Sequence, residues 1–277
     1  MIKRIILISL LSLFPFFNFS QSNFLPTDLN EISGLEILND SLLIAHNDGG
    51  NSNEIYLLNF SGKLINKIKI VNATNIDWED ITLDEEFLYI GDIGNNLNKR
   101  KDLKIYRIRK LDLISENSIS AESMSYSYAD QKEFPPVDSL KNFDAECLIA
   151  AYGDLWIFSK NRTVPFNGIC KIYRFHFEAN TSPKIAIYSK ITIGDKSWKF
   201  DSVTAGDFAK NKFYLSTYNR WLCYEFNENK FTRIRKSNYS EYNQKEALAI
   251  NENLNYLIVA NEYNKLLGKA KLKRIKL

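Results

Sequence analysis

Two histidines and three cysteines are all that this 277-residue chain offers a soft or borderline metal. Cys147, Cys170 and Cys223 are scattered, so neither a zinc centre nor a disulfide framework is expected. Export would still permit one pair, but buried free thiols are the expected state. The chain has no G-x-S-x-G elbow, no glycine-rich phosphate loop and no H-E-x-x-H. A serine-triad hydrolase or a nucleotide enzyme is therefore disfavoured. The formal charge is only +3, which gives no case for nucleic acid. No segment approaches the ~20 apolar residues that a membrane-spanning helix needs. After the first twenty residues no window holds a convincing helical stripe, and Leu111–Ser123 is the best candidate for a short helix or a long loop.

What the chain does contain is a repeated phrase. It recurs five times: a polar pair at x-any-y spacing, then an apolar run, then a polar loop. The pairs are Glu31/Ser33, Asp77/Glu79, Asp144/Glu146, Ser202/Thr204 and Gln244/Glu246. Successive second members are 46, 67, 58 and 42 residues apart. Between them lie short runs rich in Ile, Tyr, Phe and Val, bounded by Asn, Asp, Gly or Lys. This is the pattern of an all-β propeller with one copy per four-stranded blade. Five blades are expected; a sixth, hidden in the long second or third repeat, is the alternative. The closing stretch Ala270–Leu277 is expected to form the fourth strand of the last blade. Its alternating Lys271, Lys273, Arg274 and Lys276 read as the charged face of an outer strand.

The first twenty residues stand apart. Lys3 and Arg4 precede an apolar run from Ile5 to Phe17, and the small residues Ser20 and Ser22 follow. This is the composition of a secretory signal peptide over residues 1–20. It implies an exported protein, periplasmic or extracellular, with one propeller domain over 21–277. The mature domain is expected to be a monomer with no transmembrane segment.

In such a blade the first strand lines the central channel. The loop leading into it and the loop after the second strand share one face of the disc. The polar pairs occupy the first place. The second holds His46, Asn47 and Asp48; Asp92 and Asn95; Lys160, Asn161 and Arg162; Tyr218, Asn219 and Arg220; and Asn261 and Glu262. A polar funnel rich in carboxylates follows, flanked by Lys160, Arg162 and Arg220. Like charges gathered round one axis raise one another's pKa, so they need cations or a metal between them. Oxygen donors suit calcium. The acids can instead cap turns and blade-to-blade backbone amides. His46, beside Asp48 at the expected channel mouth, is placed to act as a base or proton shuttle.

The phrases HNDGGN, DWEDI, YIGDIGNN, DAE, VTAGDF with STYNR, and EALAI occur here in order. They resemble the exported bacterial propellers related to the phytase-like esterase family, within the wider group of calcium-dependent lactonase and gluconolactonase-like propellers. The resemblance covers about residues 28–265. It implies a calcium at the channel centre that polarises an ester, lactone or phosphate oxygen. The matching ligand positions are Asp77, Glu79, Asp144, Glu146 and Glu246. The chain departs from the pattern at Ser33 and Thr204, which carry hydroxyls in place of carboxylates. On this reading Glu146 and His46 are catalytic, and Lys160, Arg162, Tyr218 and Arg220 meet the substrate. The rival expectation is a non-catalytic propeller that binds a glycan, peptide or envelope partner through the same face. Tyr218, Trp221 and Tyr263 would be its aromatic contacts.

Overall fold

The computed structural model describes residues 22–253 and 255–277. The expected signal peptide lies outside the described residues. Among them, no helix is long and apolar enough to cross a membrane.

Five antiparallel sheets of four strands surround one axis. From the centre outward, blade 1 is Ile32–Ile37, Leu42–Asn47, Glu54–Asn59 and Leu64–Ile70. Blade 2 is Trp78–Leu83, Phe87–Asp92, Lys104–Arg109 and Glu122–Ser125. Blade 3 is Asp144–Ala151, Asp154–Lys160, Ile169–Phe175 and Ile187–Thr192. Blade 4 is Ala205–Ala209, Lys212–Ser216, Arg220–Asn227 and Lys230–Asn238. Blade 5 is Lys245–Asn251, Tyr256–Asn261, Lys271–Lys276 and, as its outermost strand, Ser22–Phe24.

Blade 5 corrects one expectation. The basic closing strand is third, not fourth, in its blade. The described N-terminal strand pairs with it in antiparallel register, Phe24 opposite Lys271, and closes the ring. A strand from each end of the domain in one sheet removes a fraying seam, because neither end can leave without breaking ladder hydrogen bonds. The second and third repeats are long for a different reason than an extra blade. After Lys104–Arg109 the chain makes a one-turn helix, Asp112–Ser115, then pairs Ser118–Ile119 in parallel with the outer edge of blade 1. It returns to form the outer strand of blade 2. A second parallel bridge joins Ser127–Tyr128 to Lys184–Ile185. Leu111–Ser123 thus holds a short helix and two strand segments.

The core lies between blades. Trp156, Phe158 and Ile172 of blade 3 pack against Phe213, Leu222 and Phe231 of blade 4. Trp156 meets Phe213 edge-on at 5.2 Å and Phe226 at 5.2 Å. The innermost strands form an inner wall with free edges, so their amides need partners. Side chains of neighbouring blades provide them. Asp80 Oδ2 accepts from Leu148 N at 2.9 Å, Thr82 Oγ1 from Ala150 N at 3.0 Å, and Asp207 Oδ2 from Ile250 N at 2.6 Å. Capping of blade-to-blade amides by acids therefore occurs, at Asp80 and Asp207 and also at Asp144 of a repeated pair, whose Oδ1 accepts from Asn95 N. The three cysteines are free and buried.

Candidate functional site

Four of the five repeated phrases enter their innermost strands with a distortion at the same place. In blade 1 Ile32 pairs with Asn47 and Gly34 with His46, leaving Ser33 without a partner. The same skip passes over Glu79, Glu146 and Glu246. A β-bulge turns its extra residue out of the ladder, and here it aims the second pair member at the axis. In blade 4 the ladder begins at Ala205 opposite Ser216, and Thr204 N, just before it, donates to Ser216 O at 3.0 Å. The two hydroxyl copies share a structural role. Ser33 Oγ donates to Glu79 O at 2.6 Å, and Thr204 Oγ1 to Lys245 O at 2.6 Å, so each stitches its blade to the next.

The five expected metal ligands do not act as one ring. Asp144 and Glu146 are engaged by cations. Arg162 Nε donates to Asp144 Oδ2 at 2.7 Å, and its Nη2 lies 3.4 Å from Glu146 Oε1. Asp144 Oδ1 also accepts from Asn95 N at 2.7 Å. Lys160 Nζ contacts Glu146 Oε2 and lies 3.1 Å from Tyr218 Oη. Burial raises the Glu146 carboxyl, and Lys160 and Arg162 oppose the rise. Burial likewise works against charge on Lys160, but Glu146 and Glu246 outweigh it and hold the ammonium above its usual range.

Asp77 and Glu79 are different. With Asp48 they bring one carboxylate oxygen each to within 4.8 Å of one another. The Glu79 carboxylate accepts no hydrogen bond from a described residue, and burial followed by the charges of Asp48 and Glu146 drives it well above the usual range. Burial is also the main cause at Asp48, pushed up to about 7, and at Asp77, pushed up to about 6. The backbone around this group is cut to fit. A Cβ on Gly94 would overlap Glu79 Oε1 and lie 2.5 Å from Asp77 Cγ; one on Gly49 would lie 2.5 Å from Asp77 Oδ1. Both glycines belong to the loops that follow second strands, HNDGG and GDIGNN. Arg100 fastens the second loop through Gly94 O at 2.7 Å and Asp92 Oδ1 at 2.8 Å. Only oxygen donors converge here, in a cradle that glycine alone leaves open. That donor set fits a hard divalent cation such as calcium.

Asp48 and Glu262 are the residues that motif reading left out of the site. Both occupy the loop after a second strand. Their signal was that position itself, since the loop shares the face of the repeated pairs. Glu262 is pushed up to about 9, first by burial and then by Glu246 and Asp48, so it holds a proton at neutral pH. Glu246 is near enough to raise Asp48, Glu146 and Glu262, yet belongs to neither the Asp48 group nor an ion pair.

The remaining candidates lie elsewhere. His46 is fully buried, its Nδ1 2.9 Å from Asn47 O and its ring edge-on to Trp78 at 5.6 Å. Burial lowers it to about 4, so it is neutral and packed under the wall, not displayed in the mouth. Arg220 pairs with Asp201 at 2.6 Å. Of the three rim aromatics, Tyr218 and Trp221 are buried and Tyr263 is exposed. A cleft of about 650 Å³ opens on the opposite face and is lined by Phe87 of blade 2, Tyr152 and Phe177 of blade 3 and Phe208 of blade 4. It contains none of the clustered carboxylates, so volume and chemistry part company in this fold.

No protein-family model and no curated protein matches the sequence. Solved structures do match in shape. The glutaminyl cyclase of Myxococcus xanthus aligns with a TM-score of 0.52 at 9% identity, over 92% of this chain and 94% of that one. The PQQ-bound aldose sugar dehydrogenase of Streptomyces coelicolor aligns with a TM-score of 0.50 at 10% identity, over 92% and 97%. At such identities the likeness shows the propeller fold alone.

The carboxyl shifts have a consequence for stability. A carboxyl raised on folding binds its proton more tightly in the native state than in the unfolded chain, where its pKa is about 4. The stability from Asp48 and Asp77 is therefore complete at acid pH and lost as pH rises through about 6 and about 7. In EDTA the unfolding midpoint should fall from about pH 4, the unfolded value, to about pH 7. Saturating calcium should flatten the fall, because the cation replaces the protons. A midpoint rising with pH in EDTA would contradict the arrangement.

Proposed function

We propose that this face of the propeller is a calcium-assisted hydrolase site for a small ester, lactone or phosphoester. The family resemblance to phytase-like esterase and lactonase-like propellers belongs to this reading, as does export, which would place the chain where calcium is plentiful. The observation that carries it is the Asp48, Asp77 and Glu79 cluster, uncompensated by any contacting cation and cradled by Gly49 and Gly94.

Asp48, Asp77 and Glu79 would hold the ion, and its remaining positions would be left to water and substrate. Calcium bound there would polarise a carbonyl or phosphoryl oxygen as a Lewis acid. The chain's own groups divide the proton work. Glu246, free of the ion cluster and of ion pairs, takes the proton of the attacking water. The water oxygen bonds to the carbonyl carbon or phosphorus, and the bond to the leaving oxygen breaks. Glu262, which holds a proton, gives it to that oxygen. Arg162, whose side chain is 17% exposed, faces an anionic substrate group. Lys160 acts through Glu146, which it orients.

Thermal unfolding in EDTA with calcium titrated back tests the metal. A saturable rise in midpoint is expected, following mass action on the native state. Turnover of lactones, aryl esters and phosphoesters tests the chemistry. Glu246→Gln should abolish turnover and keep the calcium-induced rise. No rise in the unaltered protein would end the metal reading.

A further inference from the structure

We infer that the same face docks on an anionic lipid bilayer, so that the channel mouth opens toward the membrane surface. The inference goes beyond the hydrolase reading and stands without it.

Exposed apolar side chains are distributed unevenly. Among the described residues, only Leu111, Ile114 and Tyr152 of the large exposed ones lie in turns of the opposite face, and Ile65 and Ile234 lie along outer strands. Phe24 lies on the outer strand of blade 5, and the others sit in connecting segments on the face of the channel mouth, Trp198 and Phe200 in the one-turn helix Trp198–Asp201. They come from every blade, singly or in small groups such as Phe200 with Tyr242, whose rings are 5.7 Å apart. A globular partner needs a contiguous patch, whereas a planar partner can meet tips spread over a whole disc face. Burying such tips out of water is the gain that a bilayer offers.

The tips cluster most in blades 4 and 5, where Trp198, Phe200, Tyr242, Tyr263 and Leu266 are exposed, Leu266 by 93%. They are not stray ends of mobile chain. Asn264 Oδ1 accepts from Leu266 N at 2.9 Å and Leu267 N at 3.3 Å, which holds that turn outward. Cations stand beside them. Lys199 lies 5.7 Å from the Trp198 ring, and Lys269 5.7 Å from the exposed Phe24 ring. Lys196, Lys199, Lys265 and Lys269 enter no ion pair among the described residues. Aromatic bodies with lysine heads beside them suit the boundary between headgroups and acyl chains.

Charge is uneven between the sectors of the disc. Residues 184–277 hold 18 Lys and Arg against 9 Asp and Glu, while residues 22–183 hold 16 against 24. The sector with the aromatic tips is therefore the positive one. Turns of the opposite face carry Asp40, Asp84, Glu85, Glu86 and Glu252, which an anionic surface would repel.

The test is sedimentation of the protein with vesicles in EDTA, which removes calcium bridging. Vesicles of phosphatidylglycerol mixed with phosphatidylcholine are compared with phosphatidylcholine alone. Binding to the anionic vesicles is expected, weakening with salt. Trp78, Trp156 and Trp221 are buried, so Trp198 is the tryptophan that reports contact with lipid. Its emission should shift to the blue and be quenched by brominated acyl chains. The double substitution Leu266→Ser and Leu267→Ser should weaken binding by roughly tenfold and leave the unfolding midpoint in place. Binding to neither vesicle overturns the inference. So does unchanged binding of the double variant, or concentration-dependent self-association that hides Trp198 without lipid.

Discussion

Replacing Lys160 by methionine should destabilise the protein by about 3–5 kcal/mol at neutral pH, because it strips the partner from a buried carboxylate. Lys160 is 2% exposed and Glu146 4% exposed. Methionine matches the lysine stem in length, so packing is largely kept and the loss is electrostatic. Arg162, at 3.4 Å from Glu146 and already committed to Asp144, replaces the ammonium poorly. Two further measurements isolate the cause. As the pH is lowered, Glu146 gains a proton and the deficit of the variant should shrink. Adding Glu146→Gln to Lys160→Met should recover most of the loss, since two neutral groups need no pairing. Glu146→Gln alone leaves the buried ammonium unpaired, so it should also destabilise. Denaturant unfolding of the four proteins closes the cycle. Additive losses would show that the pair is not coupled, and Lys160 would revert to a packing residue.

Gly94→Ala should reduce calcium affinity by roughly 100-fold or more while changing the metal-free stability little. The added methyl meets the carboxylate ends of Glu79 and Asp77, not backbone. Such ends can swing aside, so the fold is expected to tolerate the change. The ligands cannot swing aside and still converge. The backbone at Gly94 is not left-handed, so alanine brings no conformational strain. Calorimetric titration measures the affinity, and thermal unfolding in EDTA measures the remainder. Unaltered calcium binding would remove the cradle, and with it the placing of the ion at Asp48, Asp77 and Glu79. Asp77→Asn offers a comparison, since it removes a charge and leaves the space.

How far these expectations rest on sequence differs from residue to residue. Asp77 and Glu79 were legible as a pair because both flank the start of an innermost strand, and the bulge confirms why their spacing recurs. Asp144 and Glu146 were legible by the same rule, yet serve ion pairs. The difference comes from Lys160 and Arg162, which return from a hairpin to the same carboxylates. His46 drew attention as a lone histidine next to an acid. Its burial depends on Trp78 of the next blade, a neighbour that no local pattern reveals. Ser33 and Thr204 looked like gaps in an acidic ring and proved to be blade-to-blade stitches.

Five repeats of a short β phrase point to a propeller, because each copy has an apolar strand set that only a neighbouring copy can cover, and the structure shows five blades where the sequence leaves a sixth open. That much, and the face on which the polar pairs gather, follows from sequence period and strand alternation. Three matters were decided by tertiary structure alone. The ring closes through the N-terminal strand Ser22–Phe24, which local propensity cannot assign to a blade at the far end of the chain. The acids divide into an ion-paired set and a free cluster because Lys160 and Arg162 return along their own hairpin to Asp144 and Glu146, while blades 1 and 2 bring Asp48 to Asp77 and Glu79 with no cation in contact. And the apolar tips share one face because loops distant in sequence emerge at the same end of five blades. The closing strand, the Asp48 cluster and the shared face of the tips each join residues of different blades or of the two ends, and such relations exist only once the ring has closed.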